Sequence, residues 1–298
     1  MEKLKESIIH AVESAPEIHW TSTALAPWSN NSTKLLEKCP MKLLLTKVLH
    51  VPLPERRQDE DSMLRRAAGL ALHQVLEDRL SGQKADDAVS AAESRYRNML
   101  PGKEWNRVVD CLPNVDAFMG RIFAFKMKHM VEEVHVEKKL AITRDLKAAE
   151  FDSPNAFWRG ILDLLMVLPT LYGVNVDHKS GGVANSSWRI HARQMNGCSV
   201  LVHYGLRPVR GMQQYINYIQ AGVLRKGPYI CAENIHGVLA RDLFAEVDYL
   251  VDRVRRRGFM ARRTGNSMCQ YCEFNEVCKT GFLRKEVEPR TKNLILKT

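Results

Sequence analysis

The stretch VNVDHKSGG, residues 174–182, sets an acid, an imidazole and a lysine side by side between two valines and a pair of glycines. Val174 and Val176 alternate with Asn175 and Asp177, the pattern of a half-buried strand. Successive side chains of a strand point to opposite faces, so Asp177 and Lys179 share one face and His178 takes the other. The glycines at 181 and 182 end the run.

The preceding apolar run, ILDLLMVL (161–168), is a second strand whose one charged residue is Asp163. The turn LPTLYG joins the two. A hairpin centred near residue 170 sets Asp163 opposite Asp177, where cross-strand Cβ atoms lie about 5 Å apart. Two carboxylates that close repel unless they share a proton or a divalent metal. Such a pair suits Mg²⁺ or Mn²⁺, which take oxygen ligands, activate water and bind phosphate oxygens. Lys179 is placed to orient that water and offset developing charge. A buried salt bridge between Lys179 and one or both acids satisfies the same pattern.

Outward from this hairpin, residues 1–132 read as mostly helical, with PMKLLLTKVL (40–49) and SMLRRAAGLALHQVLEDRL (62–80) as helices. Alternation begins again in VHVEKKLAI (134–142), a strand. SVLVHYG (199–205) reads as a further strand, VRGMQQYINYIQAGVL (209–224) as a helix, YICAENI (229–235) as a short strand and RDLFAEVDYLVDRVRRRG (241–258) as a long helix. The expected fold is α/β, a mixed sheet flanked by helices. One domain over 1–298 is expected: a helical part (1–132), a core (133–240), and a tail (241–298) with a long helix, a cysteine cluster and basic residues.

In AGLALHQVLEDRL, His73 shares a helix face with Gly69, Leu76, Glu77 and Leu80, at the border of the apolar stripe. It reads either as a core histidine or as an imidazole ligand, which would favour Mn²⁺. The tail carries Cys269-x2-Cys272-x5-Cys278, and a metal site needs a fourth ligand from Cys39, Cys111, Cys198 or Cys231. Cys39 stands at a helix start before a proline, where backbone N–H groups stabilise a thiolate. Three thiols plus one distant thiol suit a 4Fe–4S cluster better than zinc.

Taken together, these motifs resemble the PD-(D/E)XK nucleases of the RecB type with an iron–sulfur cluster, among them CRISPR-associated RecB-like exonucleases and the AddB nuclease domain. The matches run in the family's order: Cys39-Pro40, GLALHQVLE (69–77), GILDLLMV (160–167), VDHKSG (176–181), MQQYINY (212–218) and CQYCEFNEVC (269–278). The resemblance implies a restriction-endonuclease-like core and metal-dependent hydrolysis of DNA phosphodiesters, often on single strands or ends. It implies catalysis by Asp163, Asp177 and Lys179, and metal ligation by His73, Asp163, Asp177 and the main-chain carbonyl of His178. It implies a structural cluster on Cys39, Cys269, Cys272 and Cys278. It also implies a Gln-x-x-x-Tyr helix near DNA, assigned to Gln214 and Tyr218 with Gln213 as the alternative. Asp177 stands where many relatives carry Glu, and His178 and Ser180 replace the commoner aromatic residue and Thr.

The formal net charge is +10 and favours a polyanionic partner. Residues 246–298 hold 12 Lys and Arg against 7 Asp and Glu. Arg255, Arg256, Arg257, Arg262 and Arg263 are the expected phosphate contacts. Phe259, Tyr271 and Phe274 read as stacking residues for bases or as core around the cluster. Arg189, His191 and Arg193 alternate along the segment after Lys179 and read as a DNA path or an exposed polar edge. No run of about 20 apolar residues and no P-loop is present. A soluble, cytoplasmic protein with no membrane role is expected, with any unwinding supplied by a helicase, recombination or CRISPR partner.

Overall fold

A computed structural model describes residues 1–15, 21–52, 60–180, 189–231, 234–261, 269, 272–291 and 294. The side chains of Ser62, Arg189 and Ile190 lie outside the description.

Six strands form one mixed sheet: β1 (Glu133–Ile142), β2 (Ala148–Ala149), β3 (Trp158–Val167), β4 (Tyr172–Lys179), β5 (Gly211–Tyr218) and β6 (Val223–Ile230), in the order β2-β1-β3-β4-β5-β6. All neighbours are antiparallel except β4 and β5, which run parallel. The expected α/β fold is therefore what the chain adopts.

Helices cover both faces. Before the sheet come α1 (Glu2–Glu13), α2 (Asn30–Lys38), α3 (Pro40–Leu43), α4 (Glu60–Leu80), α5 (Ala85–Tyr96), α6 (Asn106–Val109) and α7 (Leu112–His129); α8 (Arg189–Gly205) and α9 (Ile235–Arg257) follow β4 and β6. Leu164, Met166, Val174 and Val176 pack against α4, α5 and α7, with Leu72, Val75 and Phe118 at the centre. Leu165, Val167 and Met212 pack on the other side with Leu201 of α8 and Val247 and Leu250 of α9.

Two expectations are overturned. Residues 199–205 form the second half of α8, not a strand, and 209–224 form β5, a turn and the start of β6, not a helix. A parallel pair such as β4 and β5 cannot be joined by a tight turn; its connection needs a dozen or more residues, usually a helix, and α8 is that crossover. Gly222, at φ 63°, takes the left-handed conformation in the turn between β5 and β6. Of YICAENI only Tyr229 and Ile230 belong to a strand, the end of β6; Ala232 and Glu233 lie outside the described residues.

An irregularity in β1 and β3 shapes the site. Val134 and Val136 pack with the α4 side while Leu140 and Ile142 pack with the α8 side, although strict alternation would give all four one face. The change falls at Glu137, whose φ of 47° is left-handed. The β1–β3 ladder runs through Val136–Leu164 and Lys138–Leu162 and leaves out Glu137 and Asp163 between them. A local break of this kind turns a side chain out of the regular pleat.

Candidate active site

Asp163 stands at that break, and the β3–β4 ladder stops one pair short of it, at Leu164–Val176. Continuing the same register sets Asp163 opposite Asp177. Beyond the ladder, the Asp163 carboxylate replaces a backbone acceptor: its Oδ2 takes the main-chain N–H of His178 at 2.6 Å. Asp177 is 6% exposed. Its Oδ2 lies 2.6 Å from the Lys179 ammonium, which retains partial access to solvent. Burial first, then the charges of Asp177 and Glu137, push the Asp163 carboxyl well above the ordinary carboxylate range. The two strands form the expected antiparallel hairpin, and Asp163 and Asp177 stand just beyond its last paired residues.

His178 points to the opposite face, as strand alternation requires. Its ring meets Phe118 edge-on with centroids 5.2 Å apart, and Asn217 lies 3.1 Å from Nδ1. Burial drives its pKa down to about 3, so the imidazole is neutral. His73 reaches the same place from α4, with its ring 5.9 Å from that of His178. Its pKa is lowered by burial and by Lys179, and Asp177 opposes the shift, so it lies within the field of the acid–lysine pair. A cavity of about 340 Å³ opens beside it, lined by Gly69, His73, Glu77, Glu137 and Ser180.

Three residues at this site were not singled out from the sequence. Gln194 of α8 donates from Nε2 to Oδ1 of Asp177. Glu137 adds a third carboxylate; burial, Glu77 and Asp177 raise its pKa. Lys34 of α2 is half-buried, and burial, then Lys179 and Arg193, lower its pKa. His191, read from the sequence as a DNA path or a polar edge, lies 3.5 Å from the Tyr218 hydroxyl and feels Lys179, Asp177, Lys34 and Arg225. Reading 189–205 as a helix would have exposed one signal: His191 and Gln194 lie three residues apart and so share a helical face.

The Gln-x-x-x-Tyr assignment is corrected. Gln214 is in a strand and 1% exposed; its Nε2 donates to the Met195 carbonyl at 2.8 Å and to Ser199 Oγ at 2.7 Å, pinning β5 to α8. A side chain so enclosed offers nothing to DNA. Tyr218, 3% exposed, pairs in register with Lys179 on the neighbouring strand. Gln213 donates to the Gly227 carbonyl within the β5–β6 pair.

The basic residues are also redistributed. Arg193 is bound by Glu246 and Glu37 and lines no path. Arg255 and Arg256 both contact Asp252, one helical turn back, and Arg257 is exposed at the end of α9. Arg262, Arg263 and Tyr271 lie outside the described residues. Phe259 and Phe274, each 1% exposed, are core residues and not stacking platforms.

Cys39 links α2 to α3 and packs on the same apolar cluster as Cys272 and Cys278. Burial raises the Cys272 thiol pKa, and Cys39 is close enough to add to the shift. Lys42 pairs with Glu273 at 2.5 Å, tying α3 to the tail. The Cys272 N–H closes a turn onto the Cys269 carbonyl at 3.2 Å. The thiols thus approach from the two ends of the chain, and their chemistry fits a thiolate-held group. Among the described residues, however, no three of His, Cys, Asp and Glu stand close enough to share an ion. The buried, mutually repelling Asp163 and Asp177 likewise fit a hard divalent cation by donor type and charge.

Among the described residues no helix is long and apolar enough to cross a membrane. The comparison with curated proteins finds no match. Among solved structures, the crystal structure of SSO0001 is similar over 93% of this chain and 95% of its own, at 11% identity and a TM-score of 0.33. The family model of the PD-(D/E)XK nuclease superfamily matches residues 27–279, a span that runs from the edge of α2 through the acid–lysine strand to the last cysteine, and the chain belongs to that superfamily.

Proposed function

We propose that the chain is one nuclease domain that hydrolyses DNA phosphodiesters with Mg²⁺ or Mn²⁺, acting on single strands or ends. The carrying observation is the buried Asp177 carboxylate 2.6 Å from Lys179, with Asp163 held beside it by the His178 N–H. His73, Asp163, Asp177 and the His178 carbonyl would hold the ion. When bound, it supplies Lewis-acid polarisation of a phosphate oxygen and a more acidic water. Lys179 would orient the attacking water and offset charge developing on phosphorus. Gln194 fixes the Asp177 carboxylate, and the His178 N–H fixes that of Asp163. Lys34 and His191 add polar and basic groups on the α2 and α8 side, where a phosphodiester would approach.

In the same proposal Cys39, Cys269, Cys272 and Cys278 hold a 4Fe–4S cluster that staples the first helices to the tail. The basic residues Arg255, Arg256, Arg257, Arg262 and Arg263 would meet phosphates, and a helicase, recombination or CRISPR protein would supply unwinding.

Cleavage of end-labelled single- and double-stranded DNA in Mg²⁺ and in Mn²⁺, wild type against Lys179→Ala, tests this reading. Metal-dependent cleavage lost in the variant supports it. A second reading is a nucleic-acid-binding subunit without turnover. It is favoured by the absence, among the described residues, of three donors close enough to hold an ion. Salt-sensitive DNA binding with no cleavage in either metal would select it.

A further inference from the structure

One edge of β3 is left open beside the acid–lysine site. The β3–β4 ladder ends at Leu164–Val176, and Trp28 takes up the same edge again at Trp158 through a parallel bridge. There Trp28 N–H donates to the Phe157 carbonyl, and Arg159 N–H to the Trp28 carbonyl. Between these two closures no strand lies along this edge among the described residues. A cavity of about 330 Å³ occupies the gap, bounded by Gly160 and Ile161 of β3, Asn30 and Asn31 of α2, and Gln194 and Gly197 of α8.

This cavity adjoins the acids. Gln194, in its wall, is the residue bonded to Asp177. Asn30 and Asn31 precede Lys34 by four and three residues and so share its face of α2, and Lys34 lies in the field of Lys179 and Asp177. A second cavity, of about 700 Å³, continues from the first, because Ser29, Asn31 and Arg159 line both. It runs between residues 24–28 and the segment that carries Leu43, Lys47 and His50. Together the two lead from Asp177 past Arg159 to Lys47.

The walls suit an anionic chain. No carboxylate is among the described lining residues of either cavity, whereas Arg159 and Lys47 are. Arg159 stands at the junction with 34% of its side chain exposed. Its Nη1 donates to the Phe151 carbonyl and to the exposed Asp152, each at 3.2 Å, and the guanidinium lies 5.0 Å from the centre of the Phe151 ring. Nε and Nη2 have no acceptor among the described residues, which leaves the outer side of the fork for a phosphate. Lys47 is exposed and has no ion pair among the described residues. Ile161, 43% exposed, and Phe151 add apolar surface for sugars and bases. Four residues of strand, roughly 13 Å, separate Arg159 from Asp163. An extended polymer reaches both, and a single small anion does not. A basic groove with apolar walls that tracks one backbone is the form of a site for unpaired nucleic acid.

We propose that the two cavities form one track for single-stranded DNA, in which Arg159 holds a phosphate next along the strand from the one at Asp163 and Asp177, and Lys47 holds one farther out. The proposal rests on the reading of the acid–lysine site as one that takes DNA, and it does not require turnover.

Fluorescence anisotropy in EDTA, with end-labelled oligothymidylates of about 4 and about 16 nucleotides, tests the track, the lengths being the range of a single strand-binding fold. The longer probe should bind wild type at least about tenfold more tightly. Arg159→Gln should weaken it about tenfold and lower the slope of log K against log salt by about 0.7, the loss of one phosphate contact. Lys47→Gln should weaken the longer probe and leave the shorter one unchanged. Should Arg159→Gln fail to fold, Asn31→Glu gives the comparison. It sets an acid where the cavities join, at an exposed position in the first turn of α2 where a negative charge favours the helix, and it should also cost about tenfold or more. Arg121→Gln, an exposed charge on α7 across the sheet, should change neither affinity nor slope. Equal affinity for the two lengths, or Arg159→Gln and Asn31→Glu proteins that bind as Arg121→Gln does, would overturn the track. So would an equal response of a blunt duplex to the same variants. Cleavage in Mg²⁺ or Mn²⁺ with no effect of these variants on binding would sink the track and leave the nuclease reading. The expected binding pattern in a protein that cleaves nothing would do the reverse.

Discussion

Gln194 of α8 and Asp177 of β4 are joined by a hydrogen bond from the amide Nε2 to carboxylate Oδ1. The crossover helix thereby fixes the acid that also pairs with Lys179. Replacing Gln194 with Leu should cut metal-dependent cleavage about 10–100-fold, the usual cost of losing a group that orients a ligand. Folding, followed by circular dichroism, should be unchanged. Wild-type activity in Gln194→Leu would show that Asp177 needs no such support.

Stability of the metal-free protein should peak at intermediate pH. Asp163 has a folded-state pKa raised above its unfolded value, chiefly by burial and then by Asp177 and Glu137, so its contribution is present at low pH and is lost as pH rises through the folded pKa. His178 has a folded-state pKa depressed from 6.5 to about 3, so its contribution is present above 6.5 and is lost as pH falls towards 3. Asp163→Asn keeps an acceptor for the His178 N–H and should remove the alkaline decline, raising stability near pH 8 by about 1–3 kcal/mol. Urea melts in EDTA across the pH range measure both limbs. Adding Mg²⁺ should stabilise wild type more at pH 8 than at pH 5.5 and should help Asp163→Asn little at either.

Gly69 of α4 faces Ser180, just past the end of β4; a Cβ on residue 69 would fall 2.5 Å from Ser180 Oγ and 2.7 Å from its Cβ. Gly69→Ala should therefore cost about 1–3 kcal/mol by overpacking, against a helix-propensity gain of about 1 kcal/mol. In a Ser180→Gly background the clash is gone and the same change should stabilise. A Gly69→Ala protein more stable than wild type in the original background would contradict the close approach.

Gln214 distinguishes a structural role from a DNA-binding one. Gln214→Leu loses the bonds to the Met195 carbonyl and Ser199 Oγ and should lower stability by about 1–3 kcal/mol. DNA affinity, measured by fluorescence anisotropy at fixed salt, should not change. A selective loss of affinity in a normally stable protein would reverse the assignment.

The thiols make a separate prediction. Anaerobically purified wild type should carry iron and absorb near 400 nm, the order of thiolate-to-iron charge transfer. Cys39→Ser and Cys272→Ser should each lose that iron, and Cys231→Ser, exposed and outside the apolar cluster on which Cys39, Cys272 and Cys278 pack, should retain it. Equal iron content in all three variants, or zinc in its place, would count against the cluster.

Much of the acid–lysine site was legible from residues 161–179. Alternation identified β3 and β4, the turn at 168–173 set their register, and parity placed Asp177 with Lys179 and His178 behind them. The irregular point was hidden. Glu137 reads as one polar residue of a strand, and only the left-handed backbone at 137 brings its carboxylate towards Glu77 and Asp177. Local preference misjudged α8 and β5 for a different reason. SVLVHY has two β-branched valines and an apolar run from Val200 to Val202, which suits a buried helix as well as a strand, and the apolar positions of β5 fit both periods.

By itself the sequence determined the chemistry: which acids, which lysine, which imidazole and which thiols are available, and on which face of each strand they stand. Side-chain alternation is a local property of the backbone and requires no knowledge of neighbours. Only the tertiary structure decided that residues 189–205 cross over as a helix, because that requirement arises from the parallel pairing of β4 with β5, two segments far apart in the chain. The same pairing buried Gln214 against α8 and brought Gln194 to Asp177. Each of these depends on long-range packing, which no local pattern encodes.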